Sequence, residues 1–165
     1  MSLNSTDKGL LTPDNCAVLF IDHQPQMFFG VANIDRQDLL NNVLVLAKAA
    51  KIFRVPVILT AVESEGFSGN ITPQLLDLFP NQTPIERSSL NSWENKELVA
   101  AVKGTARNNF LIAALWSETC LVFPALQMVG GRLWRLCRRG RFRRHEQRLR
   151  TTRRFAALSK PVPCR

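Results

Sequence analysis

The chain has 165 residues, is 45% hydrophobic and carries a formal net charge of +9. That length suits one domain able to bury about two thirds of its unfolded surface, and no apolar run approaches the roughly 18 residues of a membrane span, which argues against a membrane protein. The charge is unevenly placed: residues 1–130 hold nine Lys and Arg against twelve Asp and Glu, a net of −3, whereas residues 131–165 hold thirteen against one, a net of +12.

The first residues, Met1 to Lys8, lack the apolar core of a signal peptide, which predicts a cytoplasmic chain whose four cysteines stay reduced. The cysteines show no metal-ligand spacing. Ala17-Val18-Leu19-Phe20-Ile21 reads as a short buried strand, followed by Asp22, His23 and Gln24. A carboxylate thus stands at the C-terminal end of a strand, the edge where open parallel sheets bind ligands. Leu40, Val43, Leu44 and Ala47 recur at helical spacing between Asp38 and Phe53, and Val55 to Thr60 follows as a strand, giving a βαβ unit. The stretch from Gly66 to Gly69 reads as a surface loop overhanging the pocket, and Leu75, Leu76 and Phe79 predict a short helix after Pro73.

Pro84 to Glu94 places Arg87 after a brief apolar-bearing stretch and before a helix containing Glu97-Leu98-Val99-Ala100-Ala101-Val102. Phe110 to Leu115 reads as another buried strand, Glu118 to Val129 as a helix, and Cys120 falls at the turn between them. Unpaired N–H groups and the helix dipole at such a turn favour a thiolate over a thiol, so a lowered Cys120 pKa is expected. A buried cysteine acting as a small hydrophobe is the competing reading. Alternating strands and helices predict a parallel sheet covered on both faces.

Three segments in this order, Asp22-His23-Gln24, Arg87 through Asn91 to Trp93, and Ser117-Glu118-Thr119-Cys120, resemble the isochorismatase-like cysteine hydrolases. That superfamily includes nicotinamidases and N-carbamoyl amidohydrolases, and the match is closest to its uncharacterised, oligomeric bacterial branch. The likeness covers about residues 12–129 and implies a three-layer α/β/α fold with a mostly parallel, Rossmann-like sheet. It also implies a homo-oligomer and a catalytic set of Asp22 as general acid/base, Cys120 as nucleophile, and Arg87 in place of the usual lysine. Arginine keeps the positive charge but does not shuttle a proton. Further expectations are an oxyanion hole from the backbone N–H groups of Thr119 and Cys120, a cis peptide between Trp116 and Ser117, and a pocket drawing on Gln24, Phe28, Asn91 and Trp93. No cofactor is implied. With only His23 and His145 in the chain, no metal site is expected either.

The likeness stops where the charge changes sign. Read as a basic arm, Arg132, Arg135, Arg138, Arg139, Arg141, Arg143 and Arg144, with Trp134 and Phe142 among them, suit nucleic acid or an anionic surface. A disordered cationic tail is the plainer alternative. A third reading is preferred: codons allowed for residues 130–146, read one nucleotide later, can encode a strand and turn like the family's continuation, and those for 153–165, read two nucleotides later, a helix. Residues 1–130 are then a truncated hydrolase domain, with its C-terminal strand and helix absent or non-native. Residues 131–165 are an out-of-frame tail with no nucleic-acid role. The expected activity is metal-independent hydrolysis of an amide-like C–N bond in a small molecule through a thioester. A nucleic-acid-binding protein and an inactive scaffold are the alternatives.

Overall fold

The computed structural model describes residues 10–130. The expectations for the tail, including the frameshift and the domain boundary at 131, lie outside the described residues. Four strands, β1 (Cys16–Ile21), β2 (Val57–Val62), β3 (Ile85–Arg87) and β4 (Asn109–Ala114), form one sheet in the order β3-β2-β1-β4. All three pairings are parallel. Between and after them run α1 (Pro25–Phe29), α2 (Arg36–Ile52), α3 (Pro73–Leu76), α4 (Lys96–Gly104) and α5 (Val122–Gly130).

β1 is buried along its whole length, and this explains its unbroken apolar run. Val18 and Phe20 face a cluster with Val43, Ala47 and Ala50 of α2 and Leu75 of α3. Ala17, Leu19 and Ile21 face the opposite cluster, with Leu98 and Val102 of α4 and Met128 of α5. Period-two alternation along one strand thus feeds two cores, and the architecture is the expected three-layer α/β/α.

Local chemistry sets the element ends. Asp35 caps α2 by accepting from the Gln37 and Asp38 N–H groups, and Asn95 caps α4 by accepting from Leu98 N–H. β2 starts two residues later than the sequence pattern suggests. Pro56 has no N–H for the ladder and contributes only its carbonyl, which accepts from Val18 N–H at 2.8 Å. β1 pairs with β2 on one side and β4 on the other, so the chain reverses its direction of winding there, and ligand crevices form beyond the strand ends at such switch points.

Candidate active site

Asp22 follows the last residue of β1 and has φ of +55°, left-handed backbone that aspartate tolerates better than most residues. Its N–H still donates to Thr60 C=O at 3.0 Å, so the peptide stays in the sheet while the carboxylate turns away. Arg87 ends β3, and its side chain reaches past the end of β2. Arg87 Nη2 donates to both Asp22 oxygens, and Nη1 donates to the Ser89 carbonyl. Both charged side chains are 1% exposed.

Cys120 is buried beyond β4 in a widened turn, Ser117–Leu121, in which Val122 N–H reaches back five residues to Ser117 C=O. Pro124 has no N–H to offer the Cys120 carbonyl, and in a regular helix its ring would crowd that oxygen, a clash that a widened turn avoids. The Cys120 thiol is close enough to the Asp22 carboxylate to feel its charge, and Thr119 Oγ1 is 3.5 Å from its sulfur. The three groups singled out from the sequence, Asp22, Arg87 and Cys120, are therefore brought together at the C-terminal edge of the sheet.

Several finer expectations fail. The Trp116–Ser117 peptide is trans, as are all peptide bonds among the described residues. Cys120 N–H donates to Trp116 C=O at 3.0 Å, so it belongs to the turn's own hydrogen bonding and is not open to an oxyanion. Thr119 N–H, the other expected donor, lies in the same first turn without a backbone partner among the described residues. The Cys120 thiol is not acidified: burial pushes it up from 9.0 to about 11, with the Asp22 charge adding to the rise and Thr119 and Arg87 opposing it. Arg87 does little for the sulfur because its guanidinium is already matched by Asp22. Burial likewise raises the Asp22 carboxyl, against the pull of Arg87.

The expected pocket residues are mostly committed elsewhere. Gln24 is fully buried and bonds only to backbone. Asn91 accepts from Trp93 N–H and donates to Glu94 and to Gln127 of α5. Trp93 packs against the α4 and α5 core, and Phe28 lies edge-on to His23. The loop after β2 is fastened at both ends: Glu86 accepts from Ser64 N–H and Oγ, and Thr72 N–H donates to His23 C=O. Sequence reading missed Glu86 and the Ser89 carbonyl. The adjacency of Glu86 to Arg87 was the available signal for the first, and a main-chain acceptor leaves none. No three His, Cys, Asp or Glu side chains gather as a metal site among the described residues.

Residues 16–130 match the Isochorismatase domain family, and the chain belongs to it. It is 38% identical over 120 residues to the probable hydrolase YcaC of Escherichia coli (strain K12), covering 72% of this chain and 58% of that protein. The crystal structure of the E. coli YcaC gene product, an octameric hydrolase of unknown specificity, superposes with a TM-score of 0.71 at 37% identity. That match covers 73% of this chain and 60% of the other. YcaC from Pseudomonas aeruginosa, solved with hexane-2,5-diol and covalent acrylamide, gives 0.72 at 34% identity over 79% and 63% of the two chains. The chain therefore spans about three fifths of the length of these relatives. No described helix is long and apolar enough to cross a membrane.

Proposed function

We propose that this protein is a cysteine hydrolase that cleaves an amide-like C–N bond in a small molecule, without a metal, as part of a homo-oligomer. The observation that carries the reading is a buried carboxylate, Asp22, paired with the Arg87 guanidinium and electrostatically coupled to the buried Cys120 thiol. Similarity to an octameric hydrolase, and to a relative bearing covalent acrylamide, supports it.

In the resting site the thiol is neutral, so the nucleophile is generated during the reaction. Asp22 accepts the thiol proton as sulfur bonds to the substrate carbonyl carbon, and the tetrahedral intermediate collapses when that proton passes to the leaving nitrogen. The amine departs and a thioester remains. Water, deprotonated by Asp22, then cleaves the C–S bond and Cys120 recovers its proton. Arg87 holds the carboxylate in place and supplies positive charge; with both Nη groups occupied, it moves no proton. With the base built in, Cys120 reactivity is flat across neutral pH and falls only where Asp22 protonates.

Incubation with a panel of activated amides and esters, followed by intact-mass measurement, tests the proposal. An acyl adduct on Cys120 that decays in water and is missing from Cys120→Ala is expected. Turnover that survives Cys120→Ala would refute it.

A further inference from the structure

We propose that Gln24 is a positioning residue for Asp22, a role that rests on the reading of Asp22 as proton acceptor. The register of β1 on β2 carries the argument. Val18 N–H donates to Pro56 C=O and Asp22 N–H to Thr60 C=O, and parallel bonds are evenly spaced along a ladder. Continued by one step, the ladder would give Val62 N–H to the Asp22 carbonyl and Gln24 N–H to the Val62 carbonyl. Neither bond forms. Asp22 has turned left-handed and the chain has left the sheet.

Both Val62 groups are met by the Gln24 side chain instead. Val62 N–H donates to Gln24 Oε1 at 3.0 Å, and Gln24 Nε2 donates to Val62 C=O at 2.9 Å. The carboxamide reproduces the donor and acceptor of a peptide unit, so it completes the strand pairing that Asp22 interrupts. A buried backbone group left without a partner is destabilising, and without this substitute the favourable course for the segment is to stay in register. Staying in register would return Asp22 to extended backbone and, because strand side chains alternate, change the direction of its carboxylate. The second Nε2 hydrogen goes to Gly69 C=O, which ties the loop after β2 to the same amide. Gln24 touches neither Arg87 nor Cys120 in any of these bonds; it acts through the backbone that aims Asp22.

The test is the pH–rate profile of Cys120 alkylation by iodoacetamide in the full chain, followed by peptide mass, for wild type, Asp22→Asn and Gln24→Met. Wild type shows a plateau through neutral pH. Gln24→Met, folded by circular dichroism, loses the plateau and rises about tenfold per pH unit like an unassisted thiol. Where the Met variant does not hold the fold, Gln24→Asn decides by the same readout, since its amide is one methylene too short to span both Val62 groups. Gln24→Glu, read while its buried carboxyl is protonated, restores the plateau because one O–H and one acceptor oxygen still satisfy Val62. A folded Met or Asn variant with the wild-type plateau overturns the role of Gln24. A plateau in Asp22→Asn overturns the underlying reading of Asp22 and leaves a different pattern of profiles.

Discussion

Replacing Asp22 with Asn separates a built-in base from a merely acidic thiol. With the Cys120 thiol at about 11, only about one molecule in 10⁴ carries a thiolate at neutral pH, against a few per cent of a free thiol near 8.5. Without assistance Cys120 would therefore alkylate on the order of 300 times more slowly than a free cysteine. Asp22→Asn removes the two contributions by which Asp22 raises the thiol and leaves Arg87 without its counter-charge, so the thiol pKa falls below 11. The variant is expected to have more thiolate at neutral pH but no base. Its alkylation rate climbs about tenfold per pH unit up to that lower pKa, where wild type is flat, and turnover of any amide substrate drops by about 10²- to 10⁴-fold. Breaking a buried ion pair costs about 3–5 kcal/mol, a large share of a domain's stability, so a melting curve accompanies each profile. Adding Arg87→Met to Asp22→Asn removes the stranded charge and should recover part of that loss. A flat profile in Asp22→Asn, or an unassisted slope in wild type, would refute the reasoning.

Three further outcomes follow from the packing. His23 is buried between Phe20 and Phe28, and burial lowers its pKa from 6.5 to about 3, so the folded protein keeps it neutral. The unfolded chain takes up the proton first. His23 therefore contributes stability that is fully present above pH 6.5 and is lost as pH falls toward about 3, by up to about 1.4 kcal/mol per unit. Urea midpoints measured across that window should lose this slope in His23→Gln. In Gly30→Ala the new Cβ would lie 2.8 Å from the Trp116 ring, whose Nε1 donates to Met27 C=O at 3.1 Å. Overpacking of about 1–3 kcal/mol and a shifted Trp116 fluorescence are expected, and an unchanged melting temperature would count against that contact. Asn95→Ala removes the α4 cap and the bond to Glu86 C=O, and a loss of about 1 kcal/mol by denaturant titration is expected.

Much of the fold is legible because its signals are local. β1 and β4 are short apolar runs ended by polar residues, and the predicted strand Phe110 to Leu115 is displaced by one residue from the observed Asn109–Ala114. The helix predicted for 118–129 is a widened turn plus α5, a difference traceable to Pro124. Asp22, Arg87 and Cys120 were recognisable from order and spacing, since each stands at or just beyond a strand end. Gln24 reads as a pocket residue in the sequence, whereas its structural partner, Val62, is set by sheet register, a long-range property. The burial that raises the Cys120 thiol is hidden from sequence for a similar reason. A helix terminus and a nearby cation are visible in sequence, but the depth of burial and the pairing of that cation with Asp22 are not.

The raised thiol pKa is intelligible once the site is treated as one electrostatic unit. An isolated buried carboxylate would be expensive, and Arg87 offsets that expense only by giving its charge to Asp22. A third ionised group beside the pair would restore an uncompensated charge, so the neutral thiol is the stable resting form of Cys120. In the proposed mechanism the site has one mobile proton, held on sulfur at rest and passed to the Asp22 carboxylate. Burial raises both groups, which keeps the thiol protonated and brings the carboxyl closer to the basicity a proton acceptor needs. Desolvation that would disable a pre-ionised thiolate nucleophile thus helps one made by proton transfer, because the transfer moves charge within the buried group and changes its total by nothing. On the proposed mechanism, Arg87 in place of lysine is compatible with catalysis: its task is to hold a charge still while the proton travels between Cys120 and Asp22.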